Sequence, residues 1–252
     1  MLVAWAPGKC PAVAQMSFET LATAKVQLAS GAADGTVHLW QEVQPDQSAE
    51  LMFMCSRPRW LLLEMIQVPG LRALRFSPDG QSLLVGGDDL RLLRCEPRGV
   101  REELRMACPV RALSWSPIAS PATLAAGPAA RSASKVVRRF VTAGESLVIW
   151  QEEGGWKKQE LRVGVVKDVV WRPNMGIPTN QLALCCEQGV EIWVQHMEGQ
   201  EWSLQSSLTL RDASKLAWSR AGALLAVSSA DGCHIFKEGL VGQWKEVYCL
   251  TE

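Results

Sequence analysis

The chain alternates short apolar runs with clusters of turn-forming residues, and one phrase recurs along it. That phrase is a short apolar run, interleaved with other residues, that ends in an aromatic and is usually closed by proline. Its five copies are LVAWAP (residues 2–7), LRALRFSP (71–78), VRALSWSP (110–117), VKDVVWRP (166–173) and SKLAWSR (214–220). Each is followed by a second run rich in Leu, Ala, Gly and Ser, then a turn and a third run. These stretches are QLASGAADGTVHLW (27–40), SLLVGGDDLRLLRC (82–95), RRFVTAGESLVIW (138–150), QLALCCEQGVEIWV (181–194) and LLAVSSADGCHIF (224–236). Such runs bounded by Gly, Asp and Pro predict strands, and Asp34-Gly35 and Asp231-Gly232 predict tight hairpins. A fourth, more polar run follows in most units, as in WKKQELRV (156–163) and WKEVYCL (244–250).

The spacing predicts one architecture. The first-strand aromatics Trp5, Phe76, Trp115, Trp171 and Trp218 stand 71, 39, 56 and 47 residues apart. Two of these gaps match the roughly 40–50 residues of a four-stranded propeller blade. First-strand to third-strand aromatic is 35 residues in the first and third units but 22 and 18 in the last two. The extra residues therefore fall between first and second strands, where an insertion leaves blade stacking undisturbed. The third insertion, SPIASPATLAAGPAARSASKVV (116–137), is rich in Ala, Ser and Pro and reads as a mobile surface loop. The expected fold is all-β, a single propeller domain over residues 1–252. Its five four-stranded blades are expected at about 1–68, 69–108, 109–163, 164–210 and 211–252, forming an open or incomplete propeller.

Composition narrows the function classes. With 252 residues, 48% hydrophobic and 21% charged, the chain can bury a core, which excludes disorder and fibrous structure. Lys+Arg and Asp+Glu are equal at 26, so no protein-wide basic field exists for nucleic acid or anionic lipid. Direct nucleic-acid binding is not expected, and membrane contact is expected only through partners. The 11 tryptophans, against 1 Tyr and 5 Phe, are placed by the repeat. Trp5, Trp115, Trp171 and Trp218 end first strands with Phe76, and Trp40, Trp150 and Trp193 end third strands with Phe236. Trp156, Trp202 and Trp244 open fourth strands, and Trp60 has no place. A wide side chain repeated at fixed strand positions wedges one sheet against the next, which favours core packing over a platform for sugars or bases.

Chemistry-bearing residues do not converge in the sequence. The eight cysteines are dispersed, with no Cys-x-x-Cys pair and no Cys/His cluster at zinc spacing. They read as small semi-buried hydrophobes in a reducing compartment, with adjacent Cys185 and Cys186 on opposite faces of one strand. The N-terminal stretch lacks a basic region and is broken by Pro7, Lys9 and Pro11, so no secretory signal is expected. WLLLEMI (60–66) is far too short to span a bilayer. No Ser/His/Asp arrangement is visible: His38 and His234 lie on third strands and His196 in a turn. SPDG (77–80) lacks the lysine and helix of a phosphate loop. Asp34, Asp79, Asp88, Asp89 and Asp231 read as turn residues, and Lys157-Lys158 and Arg138-Arg139 as solvated faces. No catalytic residue, cofactor or metal ligand is expected, and the chain reads as a non-enzyme.

Third strands ending in an aromatic plus a polar residue resemble those of WD-repeat β-propellers. In three units the strand continues as Trp40-Gln41-Glu42, Trp150-Gln151-Glu152 or Phe236-Lys237-Glu238, and EEGGWKKQEL, MEGQEWSLQ and LVGQWKEV carry a Gly-then-Trp phrase. With VKDVVWRPNMGIPTNQLALCCEQGVEIW, these motifs resemble the small propeller subunit shared by the COPII vesicle outer coat and the Y-shaped scaffold of the nuclear pore. The match runs from about Leu71 to Glu252, and a sister pore propeller is similar in the fourth and fifth units. The resemblance implies an open six-bladed propeller completed by strands that an elongated α-helical partner donates. It also implies a place at COPII vesicles on the endoplasmic reticulum, in ER-to-Golgi transport, or at the nuclear envelope beside other coat or pore subunits. Five units are counted and Met1 directly precedes a first strand, so the family's opening blade is expected to be missing. The first unit's insertion (9–26) and tail (45–67) depart from the family. Val247, Tyr248, Cys249 and Leu250 are expected to form an uncovered outer strand and to be the partner-binding residues. The other readings are a generic propeller adaptor that binds peptides on its top face, or the sister pore propeller; the shared subunit also serves a nutrient-signalling complex.

Overall fold

The computed structural model describes residues 2–5, 27–43, 59–96, 99–117, 137–173, 179–197, 199–240 and 242–251. Twenty strands account for its regular structure: β1 (Leu2–Trp5), β2 (Gln27–Gly31), β3 (Thr36–Val43), β4 (Arg59–Gln67), β5 (Ala73–Phe76), β6 (Ser82–Gly86), β7 (Leu90–Glu96), β8 (Gly99–Met106), β9 (Ala112–Trp115) and β10 (Arg139–Ala143). The rest are β11 (Leu147–Glu152), β12 (Trp156–Leu161), β13 (Asp168–Trp171), β14 (Asn180–Cys186), β15 (Gly189–Gln195), β16 (Ser203–Thr209), β17 (Lys215–Trp218), β18 (Leu224–Ser229), β19 (Gly232–Glu238) and β20 (Trp244–Leu250). They form five four-stranded antiparallel sheets, each built from four strands consecutive in the chain. The first two sheets belong to one compact unit, Met1–Cys108, and the last three to a second, Pro109–Glu252.

The recurring aromatics occupy one rung of each sheet. Trp5, Leu28 and Trp40 pair across β1, β2 and β3, as do Trp171, Leu182 and Trp193 and Trp218, Leu225 and Phe236. In the third sheet the rung is Trp115, Phe140 and Trp150, and in the second Leu93 stands where the others carry an aromatic, opposite Phe76 and Leu83. Antiparallel neighbours on a rung point to one face, so first- and third-strand aromatics flank a central apolar residue. Phe140 shows the consequence: fully buried, it contacts Trp115, Trp150 and Trp156 at ring-centroid distances of 5.4, 5.9 and 5.0 Å. The polar edges of the third-strand tryptophans are met inside their own sheets, Trp40 Nε1 donating to Ser30 Oγ at 3.1 Å, Trp150 Nε1 to Thr142 Oγ1 at 3.0 Å and Trp193 Nε1 to Glu191 at 2.8 Å.

Immediately before the third-strand position of that rung the register shifts in four sheets, at Leu39/Trp40, Leu92/Leu93, Ile192/Trp193 and Ile235/Phe236. Each shift is a bulge that leaves one extra residue on the fourth strand: Leu63, Glu103, Gln205 and Val247. The Asp34-Gly35 and Asp231-Gly232 pairs turn β2 into β3 and β18 into β19. Gly232 has φ of 133°, and a Cβ there would collide with the carbonyl of Leu250, so the hairpin and the outer strand fit only around glycine.

Each unit buries its core between facing sheets. In the first unit Ala29, Val37 and Leu39 of the first sheet pack with Leu74, Phe76, Leu83 and Val85 of the second. In the second unit one core joins the third and fourth sheets through Val141, Ile149, Trp171 and Leu184, and another joins the fourth and fifth through Ala183, Ile192, Leu225 and Phe236. Cys185 lies in the latter core and Cys186 in the former, which places the adjacent cysteines on opposite faces. Polar tethers accompany this packing. Trp171 N donates to Ser114 Oγ at 2.9 Å and Leu216 N to a buried carboxylate oxygen of Asp168 at 3.0 Å, so within the second unit β9 is tied to β13 and β13 to β17. Arg139 lies over the Trp171 ring, and Arg172 lies over Trp218 and Trp244 while pairing with Glu238 at 2.6 Å.

Trp60, without a place in the repeat, opens β4. It pairs with Glu42 as Trp156 pairs with Glu152 and Trp244 with Glu238, so it is the fourth-strand tryptophan of the first sheet. The segment read as a foreign tail therefore supplies an ordinary outer strand. Its near-continuous apolar run hid the alternation, because Leu61, Leu62 and Met65 are exposed there. The 9–26 insertion, the start of the tail and most of the 116–137 loop lie outside the described residues.

Two outcomes follow from these cores. Replacing Phe140 with Ala removes a side chain in contact with three tryptophans and is expected to cost about 3–5 kcal/mol, read as a lower urea midpoint by tryptophan fluorescence. Burial pushes the Cys185 thiol up to about 11, and the Cys186 and Cys95 thiols up to about 12. Above pH 9 the unfolded chain releases these protons while the folded chain keeps them, so the folded state binds more protons and loses stability as pH rises. Stability is expected to be intact in this respect below pH 9 and to fall from there toward pH 11 and 12. The Cys185→Ala, Cys186→Ala variant should show a shallower decline in denaturation midpoint over that window.

Candidate interaction surface

The fourth and fifth sheets have matching registers, which allows their faces to be compared position by position. In the fourth sheet, the face turned to the fifth carries Ala183, Cys185, Val190 and Ile192, all fully buried, with half-buried Val170 and Leu208 packed against them. The corresponding positions of the fifth sheet are Ala226, Ser228, Cys233, Ile235, Ala217 and Leu250. None of these is buried, and the two positions from which Asp168 and Val170 face the fifth sheet are Lys215 and Ala217, both exposed.

One rung of this open face, Ala217, Ala226, Ile235 and Tyr248, is apolar, and the next, Lys215, Ser228, Cys233 and Leu250, is mixed. Tyr248 and Leu250 are 54% and 53% exposed on β20, the outermost strand of its sheet, and the bulged Val247 is 53% exposed. Face and edge therefore meet at one strand, with its outward backbone groups available for pairing. Of the four residues expected to bind a partner, Tyr248 and Leu250 lie on the open face and Val247 is the bulge residue. Cys249 lies on the other face, opposite buried His234. Ala217, Ala226 and Ile235 were not singled out from sequence; their strict alternation with the buried Leu216, Leu225 and Phe236 was the available signal.

The aromatic positions Trp40, Phe76, Trp115, Trp150, Trp171, Trp193, Trp218 and Phe236 all fall inside strands on the sheet-packing rung, and Trp5 ends β1. Among the described residues, His38 stacks on Trp40 and His196 lines a cavity of about 400 Å³ together with Arg172, Gln181, Lys237 and Glu238. Two of the cavity's charged groups, Arg172 and Glu238, are already engaged with each other, and Arg172 also donates to Gln181 and to the Gly222 carbonyl. Asp34 and Asp79 cap their own turns, through Thr36 N at 2.9 Å and Gln81 N at 3.0 Å. Asp89 instead joins Arg91 and Arg105, at 3.0 and 2.9 Å. No helix among the described residues is long and apolar enough to cross a membrane.

Five four-stranded meanders, each with an aromatic rung and sheet-to-sheet packing in both units, define a protein of the WD-repeat β-propeller class. A solved structure, the C-terminal WD40 domain of Sif2, superposes with a TM-score of 0.54 over 90% of this chain and 57% of its own, at 16% identity. By sequence the chain is similar to SEC13 homologues: 33% identical over 152 residues to the human protein, covering 56% of this chain and 46% of that one. The bovine homologue is 32% identical over the same length, and the protein transport protein SEC13 of Mycosarcoma maydis is 32% identical over 174 residues, 47% of its length. The chain thus spans about half the length of the curated relatives it matches. No protein-family model matches it.

Tyr248 touches no core, so Tyr248→Lys is expected to change stability by less than about 0.5 kcal/mol while lowering self-association. Light scattering and urea denaturation of both proteins check the two parts.

Proposed function

We propose that this chain is a non-enzymatic, SEC13-like scaffold subunit whose fifth sheet receives strands from a partner. The observation that carries the reading is the open face and edge of that sheet, apolar at Ala217, Ala226, Ile235 and Tyr248, where the same face of the fourth sheet is buried. A sheet offering both needs a partner that supplies strands to pair and apolar side chains to pack, the mode of β-strand addition. The likeness to SEC13 homologues, one of them named a protein transport protein, directs the reading to a membrane coat. The partner in this reading is an elongated α-helical scaffold protein that contributes strands or a blade. The setting is the COPII coat at the endoplasmic reticulum, in ER-to-Golgi transport, or the nuclear pore scaffold at the nuclear envelope, alongside other coat or pore subunits. Recruitment to the membrane is then indirect, and binding of RNA or DNA forms no part of it.

Co-expression with the helical partner of the COPII outer coat and, separately, with that of the pore scaffold tests this directly. The chain is expected to co-purify with one of them, and the Ile235→Arg, Tyr248→Lys variant is expected to lose at least tenfold in affinity. Failure to co-purify with either, from a chain shown to be folded by circular dichroism, overturns the proposal and favours a general peptide-binding adaptor.

A further inference from the structure

The sequence offers no metal-ligand spacing, yet the fold brings three donors of different chemistry together on the fifth sheet. The imidazole of His234, the carboxylate of Glu246 and the thiol of Cys249 each present a ligand atom, and these atoms lie within 4.8 Å of one another. Two register features produce the cluster. His234 pairs directly with Cys249 across β19 and β20, so both side chains emerge on one face. Glu246 and Cys249 are three residues apart and in a regular strand would face opposite sides. The bulge intervenes: Ile235 pairs with Tyr248 and Phe236 with Glu246, so Val247 is the extra residue that returns Glu246 to the face of Cys249.

The histidine is held in orientation by a contact at each ring nitrogen. Ser229 Oγ lies 3.2 Å from the Gly232 carbonyl, to which its hydroxyl can donate, and it accepts from Asp231 N at 3.2 Å. Its 3.0 Å contact with His234 Nε2 fixes the ring, and with the hydroxyl turned to the Gly232 carbonyl the ring N–H donates to Oγ and Nδ1 is the ligand nitrogen. Nδ1 faces Glu246, 2.8 Å from Oε1, a contact that requires a proton or, in its place, a cation between two electron-rich atoms. A ligating histidine whose other nitrogen donates to a fixed acceptor is the usual outer-shell arrangement of metal sites. The imidazole is buried at 8% exposure, whereas Glu246 and Cys249 open to solvent, so an ion could enter from the strand's outer side.

We propose that His234 Nδ1, Glu246 and Cys249 Sγ bind a divalent zinc-class cation, with solvent in the fourth position, clasping β20 onto β19. The mixed N, O and S donor set suits zinc and cobalt and disfavours calcium and magnesium, which take oxygen ligands. On binding, the thiol proton leaves to solvent, together with the proton bridging Nδ1 and the carboxylate, and three coordinate bonds replace them. Ser229 is the positioning residue. The site lies on the face of β20 opposite Tyr248 and stands independently of partner binding.

Titration of the chelator-treated full chain tests the site. One equivalent of Co²⁺ is expected to give tetrahedral visible bands and a thiolate-to-cobalt charge-transfer band, reversed by Zn²⁺ but not by excess Ca²⁺ or Mg²⁺. Cys249→Ser, at an exposed position, should remove the charge-transfer band, and His234→Gln and Glu246→Gln should each weaken Zn²⁺ binding at least tenfold by calorimetry. Ser229→Ala should weaken it by about 10–100-fold without removing the thiolate band, an effect that loss of a merely structural hydrogen bond would not confine to metal affinity. The Cys249→Ser, His234→Gln, Glu246→Gln protein reports binding by the remaining cysteines. If it matches the wild type in stoichiometry and affinity, or if wild-type Co²⁺ spectra lack a thiolate band, the proposal is wrong.

Discussion

Everything in this structure depends on one sheet burying the face of its neighbour. A four-stranded meander with an apolar rung cannot cover both of its own faces, and an isolated sheet of this size is marginal in water. The arrangement of Ala29, Val37 and Leu39 against Leu74 and Val85 in the first unit is repeated by Ala183, Val190 and Ile192 against Leu216 and Val227 in the second. The positions correspond strand for strand, so the repeat in the sequence is a repeat of a packing problem and its solution. Tryptophan recurs because a wide ring at the end of a short first strand packs on another aromatic of its own meander, Trp115 on Phe140, Trp171 on Trp202 and Trp218 on Trp244.

Apolar packing alone would let sheets slide, and the polar tethers fix their relative position. Asp168 and Ser114 each accept a backbone N–H from the next sheet, bonds that exist at only one offset. Arg172 does more, crossing from the fourth sheet to the rings of Trp218 and Trp244 and to Glu238 in the fifth. Its charge is buried but paired, and its flat guanidinium covers aromatic surface as well as carrying hydrogen bonds. The fifth sheet receives these tethers and, at Lys215 and Ala217, offers none onward. The contrast between buried Val190 and half-buried Cys233 at corresponding positions makes that face the natural place for an interaction.

Much of this was legible along the chain. The aromatic-Pro phrase, the Asp-Gly turns and the Gly-then-Trp openings reported the all-β class and the five units, because each is a local requirement of strand, hairpin or bulged outer strand. Trp60 escaped because its strand, RWLLLEMIQ, carries exposed leucines on both sides and so lacks the alternation that marks its counterparts. Val247, Tyr248, Cys249 and Leu250 were rightly placed on an outer strand, but not sorted between its faces. A one-residue bulge reverses the side on which every later residue emerges, and nothing in VYCL signals it.

The amino-acid order by itself determined which segments become strands, where they turn and which rung carries the aromatics, since these depend on neighbours two to a few dozen residues away. Only the tertiary structure decided which face of each sheet is buried, which charges are tethered across sheets and which donors meet. Arg172 and Glu238 are 66 positions apart, and Asp168 and Leu216 are 48. Their pairing, and the meeting of His234 with Glu246 and Cys249 around one bulge, follows from sheet packing and strand register. Those are properties of the folded chain that no local spacing encodes.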